Sequence, residues 1–357
     1  MPRNPLLPLT RAYRRGLDAL TRQAVGSSRR IAGRVRSAAA KQLKPPPGRG
    51  DWIAGAALGP AGVRRYHLYR PAGQPPGPGQ KLPLMVMLHG CGQTGRDFAI
   101  STRMNRLADR ERFLVLYPEQ DRLANAQGCW NWYDRRSGKA DAEAATLIAA
   151  IDQVLLLYAA DREQVALAGL SAGASMAALM ATRYPSHFKA VAMHSGVAPG
   201  AAKSPATALG AMRGQHVPPM PATAVGKALG AAAMFASLPP LLVLHGDADR
   251  VVAPSNAQST ASVWALATGA QPRATRLMQR GKRHPMRVTD YLRGGRVLVR
   301  LCEIERLSHA WSGGSPSVRF SDAAGPDASK LVWAFAQREF RAAAAPATPV
   351  RRARTGT

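Results

Sequence analysis

Gly169-Leu170-Ser171-Ala172-Gly173 stands between two patterns that restrict how it can fold. Before it, residues 164–168 form a short apolar run; after it, residues 175–184 have the periodicity of a helix. A serine between two glycines, on a sharp turn from a strand into a helix, is the G-x-S-x-G elbow. The glycines admit backbone angles and close approaches that a side chain would block. A plain Gly-rich turn with a capping serine would use the same letters, so the flanks carry the argument. The remaining patterns agree with them. Residues 82–90, 113–119, 188–196 and 238–249 read as buried strands, and 63–72 as an alternating early strand. Residues 97–112, 141–159 and 327–340 read as helices, and 295–311 as a late strand running into a loop. Strands that are apolar throughout and alternate with helices predict an α/β fold, with a mostly parallel central sheet covered by helices on both faces.

A serine hydroxyl is a weak nucleophile at neutral pH and needs a base and an oxyanion site. On such an elbow the partners follow in the order serine, acid, histidine. The chain therefore reads as an α/β-hydrolase. Two acids leave the strand at 238–249. Asp249 is favoured, three residues beyond Gly246 in a G-x-x-D-x-x-V spacing that ends at Val252, whereas Asp247 reads as a turn residue. Two histidines follow. His284 lies in a charged turn and reads as a surface residue. His309, on the loop after the late strand, is the predicted base. Backbone N–H groups of Cys91, in the loop after the first central strand, and of Ala172, after the nucleophile, are the predicted oxyanion donors. His89 reads as a brace for that loop, and His194 and His245 as packing or loop-bracing residues. No motif with metal-ligand spacing, phosphate loop or dinucleotide fingerprint occurs, so neither a metal nor a cofactor is expected.

Charge divides the chain. There are 49 Lys and Arg against 21 Asp and Glu, a net +28. Residues 1–50 hold 12 basic residues and one acid, and 341–357 hold four Arg and no acid. We read 1–50 as a basic arm with amphipathic helical spacing over 10–43 and a Pro-rich linker at 45–48. Residues 51–340 read as the catalytic domain, and 341–357 as a basic disordered tail. Such arms suit an anionic surface or granule, or serve only as solvated chain. Nothing in them resembles a base-reading motif, so sequence-specific nucleic-acid binding is not expected. No signal peptide or transmembrane segment is readable, which favours a cytoplasmic or granule-associated protein.

Seven blocks between about residues 82 and 336 together resemble the poly(3-hydroxybutyrate) depolymerase-type esterases, which are related to feruloyl and acetyl-xylan esterases. They are LHGCGQTGRDFA, MNRLADRERFLVLYPEQ, GCWNWY, VALAGLSAGASMAALMATRYP, VAMHSG, HGDADRVV and SHAWSGG. The resemblance implies a Ser171, Asp249 and His309 triad acting on short-chain hydroxyalkanoate esters, polymer or oligomer, through an acyl-enzyme. It also implies an extracellular location, against the missing signal. Gly92 stands where the family usually has Thr. Cys91 and Cys129 fall in loops expected near the site, and a disulfide between them suits an oxidising compartment. Trp130, Trp132 and Tyr133 either line a substrate cleft or pack as core. The alternatives are a feruloyl or acetyl-xylan type carboxylesterase, or a surface-binding protein that works through its basic arms.

Overall fold

The computed structural model describes residues 45–74, 77, 79–215 and 238–344. Residues 1–44, 216–237 and 345–357 lie outside them, and with them most of the basic arm, most of the tail (residues 341–344 are helical) and half of the Ala-rich stretch 198–238. The described residues fall in the compact unit Pro46–Thr357, apart from Pro45.

Strands β1 (Asp51–Gly59), β2 (Gly62–Arg70), β3 (Leu82–Leu88), β4 (Leu114–Pro118), β5 (Ala160–Leu170), β6 (Ala190–His194) and β7 (Leu241–Gly246) enter one sheet. Further along the chain β8 (Gln271–Pro272), β9 (Arg276–Met278), β10 (Met286–Arg293) and β11 (Arg296–Ile304) join it. The spatial order is β1-β2-β4-β3-β5-β6-β7-β11-β10-β8, with β9 also on β10. All pairs from β4 through β11 are parallel, and the antiparallel pairs lie at the two edges. This is the α/β-hydrolase architecture that the sequence predicts.

The period of two along each strand builds two cores. On one face Leu84, Val86, Leu167 and Val243 pack under helices α3 (Lys139–Leu157), α4 (Ala172–Arg183) and α6 (Ser255–Thr268). On the other face Met85, Met87, Val115 and Leu242 meet α1 (Gly95–Thr102), α2 (Met104–Glu111) and α7 (Ala328–Ala344). A short helix α5 (Pro205–Met212) stands outside both cores.

Three details depart from the sequence reading. The helix expected over 97–112 is two helices, because Arg103 takes a left-handed conformation at φ 54°. The break lets Phe98 and Met104 both be fully buried, and the Thr102 carbonyl there accepts from the Ser329 hydroxyl at 2.6 Å. Strand β1 and helix α6 go unassigned in the sequence. Their Ala, Gly and Ser content blurs the hydrophobic period, and long-range pairing stabilises them instead. The end of the Pro-rich linker is tied down: the Arg49 N–H donates to Asp109 at 2.9 Å and the Gly50 N–H to the Tyr69 hydroxyl at 2.7 Å.

Candidate active site

Ser171 stands between β5 and α4 at φ 57° and ψ −121°, a strained conformation for a residue with a side chain. The glycines permit it. A Cβ on Gly173 would come within 2.2 Å of the Leu88 carbonyl oxygen, and one on Gly169 within 2.3 Å of the Gly173 backbone. The elbow therefore presses against the end of β3, where the loop bearing Cys91 begins. A Cβ on Gly90 would lie 3.5 Å from the Ser171 Cβ.

The predicted acid and base meet. His309 Nδ1 lies 2.8 Å from Asp249 Oδ2, and the two are sixty residues apart in the chain. Asp249 is almost fully buried. Burial alone would raise its pKa. Hydrogen bonds from His245 and His309, the His309 charge and the Val252 N–H outweigh burial and hold the carboxyl well below the usual range. Asp249 is thus a carboxylate at any working pH, and a carboxylate accepts: the Nδ1–H of His309 donates to it and leaves Nε2 as the lone-pair nitrogen. The Val251 and Val252 N–H groups both donate to Oδ1 at 2.9 Å. Asp247 is exposed and among the described residues accepts only the Arg306 N–H at 2.7 Å, as a turn residue would. His284 lies 3.7 Å from Asp322, away from Asp249.

Three buried histidines brace this constellation. The carbonyl of His194 accepts the Ser171 N–H at 2.9 Å, and its Nε2 accepts the Ser312 N–H at 3.2 Å. One residue thereby ties the elbow to the loop carrying His309. Burial drives the pKa of His194 down to about 3, so the ring is neutral. His245 Nε2 lies 2.9 Å from the Val252 carbonyl and 3.3 Å from Asp249 Oδ2, a second donor to the acid. His89 accepts the Gln120 N–H at Nε2, 3.1 Å, so its Nδ1–H donates to the Gly90 carbonyl at 2.8 Å. That carbonyl and the Cys91 N–H belong to one planar peptide and point in opposite directions. Among the described residues the Cys91 N–H has no protein acceptor. The Ala172 N–H, first in α4, has no partner within its helix.

Ser171 opens on a pocket of about 240 Å³. Cys91, Trp132, Tyr133, Ala172, Leu209 and Val252 are among its lining residues, and among the described residues none of the lining side chains is charged. Cys91 is disulfide-bonded to Cys129. Of the three predicted aromatics, Trp132 and Tyr133 line the pocket. Trp130 does not: it is fully buried beneath the loop, its Nε1–H donating to the His89 carbonyl at 3.0 Å. The buried carboxylate of Glu143 turns the segment this way. It accepts the Asn131 N–H at 2.9 Å, the Asn131 side-chain amide at 2.5 Å and the Gln120 amide at 2.8 Å. The wall contributed by α5, with Ala208, Leu209 and Met212, falls in the stretch 198–238, which the sequence gives only as a covering loop or small helices over the sheet end. Ser204 followed by Pro205 is a helix-start signal that would have found it. Among the described residues no group of His, Cys, Asp and Glu could hold a metal, and no helix is long and apolar enough to cross a membrane.

Among curated proteins, poly(3-hydroxyalkanoate) depolymerase C of Paucimonas lemoignei is 31% identical over 192 residues, 53% of this chain and 45% of that protein. Feruloyl esterase B of Neurospora crassa is 34% identical over 117 residues, 32% of this chain and 39% of that protein. The chain thus spans less than half of the length of either. The probable acetylxylan esterase A of Aspergillus clavatus is 27% identical over 234 residues, 62% of this chain and 72% of that protein. Of the solved structures, the acetyl xylan esterase from Aspergillus awamori superposes with a TM-score of 0.57 at 20% identity, over 73% of this chain and 94% of that one. It has the same fold. The model of the family Esterase PHB depolymerase matches residues 64–279, and the chain belongs to that family.

Proposed function

We propose that the protein is a serine esterase for short-chain hydroxyalkanoate esters, polymer or oligomer, with Ser171, His309 and Asp249 as its triad. The observation that carries this reading is the 2.8 Å contact of His309 with a buried carboxylate on the loop system that His194 ties to a strained, pocket-facing Ser171. Ser171 Oγ attacks the ester carbonyl carbon while His309 Nε2 takes its proton. The oxyanion is met by the Cys91 and Ala172 N–H groups, each such donor contributing about 3–4 kcal/mol to the transition state. Collapse breaks the bond to the alcohol oxygen, which receives the proton from His309. Water then attacks the acyl-enzyme, loses a proton to His309 and releases the hydroxy acid, and Ser171 recovers its hydrogen.

The pocket supports a short acyl group. Its volume of about 240 Å³ falls just below the ~300–1,000 Å³ of drug-sized sites. A second reading, an esterase for acetyl or feruloyl groups on polysaccharide, is supported by the likeness to the feruloyl and acetylxylan esterases. Nothing in the described residues supports an inert surface-binding protein over an enzyme. The test is clearing of amorphous poly(3-hydroxybutyrate) particles by wild type beside Ser171→Ala. Clearing by wild type alone is expected. If neither clears while wild type deacylates acetylated or feruloylated sugars, the second reading replaces the first.

A further inference from the structure

The hydrolytic step assigns a direction to the site. His309 returns its proton to the alcohol oxygen as the ester breaks, so the alcohol half of the substrate stands against His309. Ser171 lines the pocket and His309 is not among its lining residues, so the acyl half is assigned to the pocket. The two sides differ in charge. Among the described residues no side chain lining the pocket is charged. Beside His309 the ring of Phe320 stands edge-on, 6.4 Å between centroids at 84°. The Arg319 guanidinium lies 6.0 Å over that ring. Both residues are exposed, and among the described residues Arg319 has no carboxylate partner. Arg250, also exposed and next in sequence to Asp249, has none either.

The position of Phe320 is held at a cost. It has φ 58°, the left-handed region that a bulky side chain avoids. Its carbonyl accepts the Trp311 N–H at 2.9 Å and the Ser101 hydroxyl at 3.4 Å. These bonds fix the turn that carries the ring to His309. Strain kept beside a reacting group is commonly part of a binding site.

We propose that Phe320 and Arg319 form the subsite for the alcohol half, and that it selects esters whose alcohol carries a carboxylate near the scissile bond. That is the free-acid end of a hydroxy-acid oligomer. An acyl group on a polysaccharide has a neutral sugar in this position. The inference rests on the esterase reading above and narrows its substrate.

The test uses the linear dimer of 3-hydroxybutyrate as the free acid and as its methyl ester, with scission of the internal ester followed by chromatography. The acyl half and the bond cut are the same in both. Wild type is expected to show the higher kcat/KM on the acid. The acid-to-methyl-ester ratio is expected to fall about two- to fivefold in Arg319→Gln, the range of a surface charge pair, and to be largely kept in Arg319→Lys. Raised salt should shrink the ratio in wild type. Because each variant supplies its own ratio, a loss of folded protein cancels. A wild-type ratio of one or less, or a ratio unmoved by Arg319→Gln, overturns the proposal while leaving the esterase reading intact. If neither dimer is cleaved but 4-nitrophenyl butyrate is, the subsite and the hydroxyalkanoate reading both fall. If that ester also survives, the esterase reading itself falls.

Discussion

His194 shows how one buried side chain is constrained from several directions. Its carbonyl holds the Ser171 N–H, its ring accepts the Ser312 N–H, and its other nitrogen lies 3.2 Å from the Ser195 hydroxyl. The ring must be neutral for Nε2 to accept, and burial keeps it so, with a pKa near 3. The unfolded chain binds a proton at this residue near pH 6.5, well above the folded pKa. Between those values the unfolded state holds more protons, so stability falls as pH drops from about 6.5 toward 3. This one group contributes up to about 3–5 kcal/mol to that loss. Melting temperatures of wild type and His194→Gln from pH 7 to 4 check it. The variant is expected to show the shallower decline, and parallel curves would remove His194 as the cause. The proposed triad acid behaves differently. The depressed Asp249 adds stability that is present above the ordinary carboxylate range and is lost only in strong acid.

At the scale of elements, the segment 129–133 and helix α5 close the pocket at Ser171 together. Val197, Ala202, Ala208, Ala211 and Val252 form a small cluster of their own, with Trp132, Tyr133 and Met212 packed against it. Trp132 is half-buried and borders the pocket. We expect Trp132→Ala to raise KM for butyryl esters about fivefold or more, with Tm lowered by only a few degrees. An unchanged KM with a collapsed Tm would place Trp132 with the core. Strands, by contrast, were legible from their composition. Residues 82–88 and 241–246 are apolar on both faces because helices cover both, and such a run has few other uses in a chain of this length. The break at Arg103 was not legible. The apolar period runs through 97–112 without interruption, and the bond that anchors the kink reaches the Thr102 carbonyl from Ser329, 227 residues away.

For the whole molecule, the three cysteines divide into one bridge and one thiol. Cys91 and Cys129 are joined beside the candidate oxyanion loop, while Cys302 is buried in the sheet with its thiol pushed up to about 12. Denaturation without reductant is expected to expose one free thiol per chain, and with reductant three. Three thiols in both conditions would mean that the protein is made and kept in reducing surroundings.

The order of apolar strands and helices, the glycines of the elbow and the pairing of Asp249 with His309 were readable from the chain alone. Each depends on local backbone geometry or on the covering of a sheet, and local pattern encodes both. Which aromatics face the pocket was not readable. Trp130 and Trp132 are alike in chemistry and two positions apart, yet one is core and the other cleft. Glu143 decides it by holding Asn131 from helix α3. The same holds for Phe320: its place at His309 depends on bonds to Trp311 and to Ser101, 219 residues away. Such contacts exist only once the sheet has brought distant segments together, so tertiary structure alone decided the walls of the site.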